Sequence, residues 1–445
     1  MLYYRQTEPE PFGAHMSFED TASHVFFDRA GRHITSDKGF RMARANVAVR
    51  EGRWYWECKI TRGILKKPDT SEGAQQEESK AKGNEPKSHG HVRIGWARRE
   101  ASLDAPVGFD AYSYGIRDVA GQKVHMSRPK DFFPPGEDIR EGDVIGLEIQ
   151  LPSENLHRKV VEGQYNPAVD LSDEDTSPEA PNIIRDRIPI RFKQHIYFEK
   201  IDYHTTKELD DLMNPSPFGS SAANSAASEP PNPNHPLPPL RTLPNSHIKV
   251  YKNGVLMGTP WTDLLAFLPP ASKLLQQQPG AGREVLDDGS LGYYPAVSIF
   301  RGGAVEVNFG PDFWYPPPAA PGDSNEQQQE KQAAGGDVEM KDVAAAEEQP
   351  STKDTVAEAE TVDGKASKPL RPVAERYDEQ IVEDIVYDIV DEVGFWMQDG
   401  CKVVDHSRAV GKEGKEAGEV EVEGAGLLIG APGGREEIKE LVQDD

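Results

Sequence analysis

The sequence predicts a mainly β protein, a β-sandwich with long disordered insertions, followed after an acidic linker by one C-terminal amphipathic helix. Three observations lead there. Between Ser17 and Pro316, short β-branched and aromatic runs alternate with glycine-containing turns, the pattern of a two-sheet sandwich. Stretches between those runs are dominated by Pro, Ser, Gln and charged residues, which cannot bury a core. Within Tyr377–Met397, aliphatic residues recur at three- and four-residue steps, which stacks them on one helical face.

The strand candidates follow in chain order. His24–Asp28, His33–Asp37 and Trp54–Thr61 come first, then His91–Ala97, Tyr112–Asp118, Lys123–Ser127 and Asp143–Leu151. Arg191–Lys200, His247–Gly258, Tyr293–Phe300 and Ala304–Gly310 complete the set. Asn253 and Gly254 supply the positive φ angles of a two-residue hairpin turn, so His247–Gly258 is read as a hairpin. The segment after it, through Pro270, offers a short helical turn that Thr262 or Asp263 would cap. Trp54, Trp56 and Trp96 are assigned to the core.

Four insertions are expected to be disordered: 66–90, 172–181, 214–245 and 274–289. Lengthening a loop that is already flexible adds only about 0.6 kcal/mol of closure cost per doubling, so a sandwich tolerates them. The domain reading is an N-terminal extension over 1–16, the sandwich over 17–316, an acidic disordered linker over 317–373, a docking helix over 374–398 and an acidic tail over 399–445. Within Tyr377–Met397 the aliphatic stripe includes Val382, Ile385, Val386, Ile389 and Val393, opposite a face of Glu and Asp. The linker before it has nothing apolar to cover that stripe, so the stripe either folds back onto a distant domain or docks on another protein, which points toward an assembly subunit.

Composition narrows the function. The chain has 445 residues, 36% of them hydrophobic, and a net charge of −25, so much of it lies outside any core. The acidity sits late: Gly322–Gly364 carries 12 acids against 3 bases, while His91–Asp131 carries 7 bases against 5 acids. A mildly basic face inside an acidic protein would attract an anionic partner. The two cysteines, Cys58 and Cys401, allow neither a disulfide framework nor a four-cysteine zinc site, which fits an intracellular protein. No apolar run approaches a membrane span, and Met1–Gly13 lacks the hydrophobic core of a signal peptide. His89 and His91 lack a third ligand at zinc spacing, and the acids at the strand ends have no nucleophile beside them. No catalytic residue, cofactor or metal is expected. Lys66 and Lys67, or the adjacent Arg98 and Arg99, are the candidates for touching nucleosomal DNA within an assembly; at this net charge, autonomous binding is not expected.

In order, the segments GRWYWECKIT, HVRIGWARRE, APVGFDAYSYGIRD, DVIGLEI, IKVYKNGVLMG and YPAVSIFRGGAVEVNFGP resemble the strands of a SPRY domain. Together with KGFRMARANVAVREGRWYWE, the split pair RFKQHIYFEK and HIKVYKNG, and the terminal EDIVYDIVDEV, they resemble the Ash-two/Bre-two family. Those proteins are the SPRY subunits of COMPASS or MLL-type methyltransferases acting on lysine-four of histone H-three. The resemblance spans roughly Ser17–Pro316 plus Ala374–Met397. It implies a nuclear, non-catalytic scaffold that serves a separate SET-domain enzyme. It also implies a pocket of Phe40, Arg93, Pro106, Phe109 and Arg117 for an acidic segment of a WD-repeat subunit. Phe40 and Phe109 stand where the family often has tyrosine, so packing replaces any hydroxyl contact there. The same resemblance makes Val382, Ile385, Val386, Ile389 and Val393 the anchors for a Dpy-thirty-like helical dimer, with Tyr387 at the shoulder. Animal members also carry a zinc-finger-like and winged-helix region whose cysteines this sequence lacks, so DNA binding of that kind is not expected. The alternative is a SPRY-type peptide-recognition adaptor of a ubiquitin-ligase or other signalling complex; it would need a RING or box-type recruiting module, which the sequence does not contain.

Overall fold

A computed structural model describes residues 10–66, 88–170, 187–192, 195–200, 213, 230–272, 289–317 and 369–398. Two antiparallel sheets carry the fold. The first has seven strands in the order β1 (Met16–Thr21), β4 (Arg41–Ala45), β15 (Tyr294–Phe300), β6 (His91–Ala97), β7 (Ser113–Arg117), β8 (Lys123–His125) and β9 (Arg128–Lys130). The second runs β14 (Val255–Thr262), β13 (His247–Lys252), β10 (Val144–Leu151), β5 (Gly52–Arg62), β16 (Ala304–Asn308), β3 (His33–Thr35) and β2 (Phe26–Phe27). A separate hairpin joins β11 (Arg187–Phe192) to β12 (His195–Lys200). The mainly β sandwich expected from the sequence is the one observed.

Alternation along β5 explains the layering. Trp54, Trp56, Cys58 and Ile60 face the core, where Trp56 meets Trp96 of the opposite sheet edge-on at 6.2 Å between centroids. Tyr55 and Glu57 face the other way. On that outer side Gly146 of β10 is required, because a β-carbon there would lie 2.0 Å from the Tyr55 hydroxyl. The same face holds a fully buried carboxylate, Glu148. It accepts from Arg53 Nε at 2.7 Å and from the Tyr251 hydroxyl at 2.8 Å. Burial alone would raise its pKa; His247 Nε2 at 3.7 Å, the Arg53 guanidinium and Lys249 Nζ at 3.6 Å outweigh that and hold it far below the usual carboxylate range.

The β13–β14 turn has φ 51° at Asn253 and 81° at Gly254, the hairpin geometry that Asn-Gly calls for. The helical turn expected after Thr262 does not form. The amides that would build it are taken by distant partners: Leu264 N donates to Ser246 Oγ, Leu265 N to the Tyr114 hydroxyl, Ala266 N to Arg241 O and Phe267 N to His157 Nε2. Its apolar side chains are buried all the same. Helix α1 (Glu154–Glu162) was not legible as an element, although its ends carry clear signals. Ser153 Oγ accepts from Leu156 N, and Gly163, at φ 77°, closes the last turn. A one-turn helix α2 (Pro167–Asp170) follows.

Two domain boundaries are corrected. The insertion expected over 214–245 is folded from residue 230 onward: Pro238–Leu240 forms a 3-10 turn, and Arg241 donates to His235 O and to the α1 carbonyl of Val161. The linker expected over 317–373 ends earlier. Leu370–Pro372 forms β17, which runs parallel to β5 opposite Arg53–Tyr55, where β16 has already ended. Val373 N donates to Tyr55 O, and the Val373 side chain is fully buried. The expected extension over 1–16 joins the sandwich at Met16, which opens β1 and is fully buried. The remaining parts of the expected insertions, linker and tail lie outside the described residues, apart from a few residues at their margins.

Helix α3 (Ala374–Gln398) follows β17 directly. The chain divides into two compact units, one of Tyr4–Glu383 and one of Met1–Tyr3 with Asp384–Asp445. The first turns of α3 belong to the former. Arg376 donates to Ala48 O at 3.0 Å and pairs with Glu383 at 2.8 Å, while Arg371 lies 4.3 Å from the Trp54 ring centroid.

Candidate functional site

The strand register sets up an unusual juxtaposition. Arg93 of β6 lies directly opposite Arg117 of β7, so two guanidiniums share one face of the sheet. Like charges facing across strands destabilise; among the described residues neither arginine makes an ion pair, and the buried Asp118 carboxylate, already bonded to His91, Val92 N and Val119 N, offsets the repulsion at Arg93 only in part. Arg117 reaches only Gln122 Oε1 at 3.4 Å and Arg93 only Val107 O at 3.4 Å, while Arg93 Nε is buried without a hydrogen-bond partner. Burial, and then the neighbouring Arg117, push the Arg93 pKa down to about 10. Such a pair is poised to accept carboxylates, which would relieve the repulsion and supply bidentate partners.

Aromatic rings wall Arg93 on one side. The Arg93 guanidinium carbon sits 4.9 Å from the Phe40 centroid, and Phe40 packs against Phe300 at 4.8 Å. Pro106 and Phe109 connect to the pair through the backbone. They lie on one turn closed by Phe109 N donating to Pro106 O at 3.0 Å, and the Val107 carbonyl of that turn is the one Arg93 reaches. Phe109 is exposed. The structure therefore brings Phe40, Arg93 and Arg117 together and attaches Pro106 and Phe109 through their shared turn. Phe300, His91 and Arg301 also stand at this face and were missed. Phe300 ends a strand that sequence reading did find, but its pairing with His91 spans about half the chain.

On the helix, Val382, Val386, Ile389 and Val393 are all exposed, at steps of four, three and four residues. Val386 and Ile389 are 53% and 56% exposed, far more than aliphatic residues on a packed face. Trp396 and Met397 extend the stripe and were not among the expected anchors. The side chain of Ile385 lies outside the described residues. Arg98, considered for nucleosomal contact, is corrected: it is fully buried and donates to Glu100, Ala266 O and Ser272, so it offers nothing to DNA.

No family model matches the sequence. Full-length relatives do. The COMPASS component cclA of Colletotrichum higginsianum is 64% identical over 100% of this chain and 71% of its own length. The chain belongs to the Ash2/Bre2 family. Within it, the Set1 complex component ash2 of Schizosaccharomyces pombe is 37% identical over 88% of this chain, and the COMPASS component BRE2 of Saccharomyces cerevisiae is 25% identical over 85%. The chain spans 43% of the Schizosaccharomyces pombe Ash2/Bre2 protein and 81% of the Saccharomyces cerevisiae one. A human SPRY domain aligns over 65% of this chain and 98% of its own, at 13% identity and a TM-score of 0.28.

Proposed function

We propose that this chain is a nuclear, non-catalytic subunit of a histone H-three lysine-four methyltransferase complex. Its Arg93–Arg117 face takes an acidic segment of a WD-repeat subunit, and the distal stripe of α3 takes a Dpy-thirty-like helical dimer. The observation that carries the reading is the in-register arginine pair, with no ion pair of its own among the described residues and with Arg93 half-buried beside Phe40. A fold that needed only stability would not place two guanidiniums in register there. The exposed stripe on α3 supports the second docking arm, because helix-in-groove recognition uses anchors at these steps.

Reconstitution tests the reading. The purified chain alone should not methylate a histone H-three peptide, and it should raise the rate of a SET-domain subunit only when the WD-repeat subunit is present. Arg93→Ala combined with Arg117→Ala should weaken WD-repeat binding by about thirtyfold, corresponding to roughly 2 kcal/mol for desolvated charge pairs. It should leave the melting temperature unchanged or slightly higher, because a like-charge contact is removed. Methyl transfer by the chain alone, or wild-type affinity in the folded double variant, would show the reading to be wrong.

A further inference from the structure

The cationic face continues past the arginine pair. Arg301 follows Phe300 in the β15–β16 turn, with its guanidinium carbon 5.0 Å from the Phe300 centroid. Arg93, Phe40, Phe300 and Arg301 therefore form one row of cation, ring, ring and cation. Across the β6–β15 pairing, His91 flanks Phe300 with ring centroids 6.3 Å apart.

Two features of this arm are not explained by folding alone. Arg301 has φ 47°, the left-handed region in which glycine or asparagine would sit at less cost. Its guanidinium is exposed and makes no ion pair among the described residues. His91 Nδ1 lies 2.9 Å from Asp118 Oδ2, and Asp118, 2% exposed, also accepts from Val92 N and Val119 N. The hydrogen bond to Asp118 holds the imidazole pKa above its ordinary value against partial burial. The charged groups facing His91 are Asp118 and Arg117 from the end of β7, with Arg93 two residues along its own strand. From the preceding loop, Ser88 Oγ stands 3.4 Å from Nε2.

We infer that His91, Phe300 and Arg301 form a second arm of the docking face, which takes a further cluster of carboxylates on the same acidic segment and binds it with uptake of a proton at His91. This rests on the reading of the Arg93–Arg117 pair as the docking site. Bringing carboxylates beside His91 favours its charged form, so affinity must rise as pH falls through neutrality. Arg301 contributes a fixed charge at every pH.

The test uses the full chain and a fluorescent poly-glutamate peptide of about ten residues, long enough at ~3.4 Å per residue to cross both arms. Affinity at about pH 6 should exceed that at about pH 8 by roughly three- to tenfold. His91→Gln should remove most of that difference, so that its affinities at the two pH values nearly coincide. Arg301→Asn, which suits the turn, should weaken binding several-fold at both. Asp110, whose carboxyl burial pushes up to about 6, titrates in the same window, so Asp110→Asn should keep the pH response. Wild-type behaviour of both His91→Gln and Arg301→Asn, with Arg93→Ala weakened, overturns this inference alone, as does loss of the pH response in Asp110→Asn. No binding by the wild-type chain, or full binding by Arg93→Ala, overturns the docking reading as well.

Discussion

Replacing Ile389 with glutamate should abolish capture of a Dpy-thirty-like helical dimer, lowering affinity by at least about a hundredfold. Burying one aliphatic side chain is worth about 1.5 to 3 kcal/mol, and a carboxylate forced into the same groove adds the cost of an unpaired buried charge. Val386→Glu should behave the same way, since both side chains are more than half exposed and lie on one stripe. Trp396→Ala should weaken capture less, as a test of whether the stripe extends to the end of the helix. The sandwich should melt at its wild-type temperature in all three. Calorimetry with the purified dimer decides the matter: unchanged affinity, or a lowered melting temperature in Ile389→Glu, would show that the stripe is not a docking surface. Base residues such as Arg376 are a poor choice for this test, because they are built into the sandwich.

Glu148→Gln should destabilise the sandwich by about 3 to 5 kcal/mol, the usual result of removing one member of a buried ion pair. Arg53 would be left buried beside Lys249 with its carboxylate gone. The melting temperature should fall by roughly ten degrees. The pH dependence has a definite sign. Because the folded-state pKa of Glu148 is depressed, its stabilisation is fully present above the ordinary carboxylate range and is lost as pH falls below it. The wild-type chain should therefore lose stability on acidification more steeply than Glu148→Gln. Parallel acid-unfolding curves for the two proteins would mean that the Arg53–Glu148 pair contributes little.

The strands were legible because each combines β-branched or aromatic residues with turn glycines, and Asn253–Gly254 specified its hairpin from two residues. What was misread depends on tertiary contacts. Leu264–Phe267 looks helical by composition, yet its amides are claimed by Ser246, Tyr114, Arg241 and His157 from elsewhere in the chain. Residues 230–245 read as another polar insertion, although Arg241 ties them to α1. Leu370–Pro372 looks like the end of a linker and is a strand because β5 has an open edge beyond β16. The face proposed for docking was only partly legible. Arg93 and Arg117 stand out through family resemblance, whereas nothing local to Phe300 or Arg301 reveals that β15 brings them beside Phe40 and His91.

The two proposed docking surfaces can be separated in one experiment. Tagged wild-type chain, the Arg93→Ala/Arg117→Ala variant and Ile389→Glu would each be recovered from nuclear extract of the native organism, and the copurifying subunits quantified by mass spectrometry. The expected result is reciprocal: the arginine variant loses the WD-repeat subunit and keeps the Dpy-thirty-like protein, and Ile389→Glu does the opposite. Retention of both subunits by either variant, or absence of a SET-domain enzyme from the wild-type preparation, would contradict the assignment of this chain as a two-armed scaffold of the methyltransferase complex.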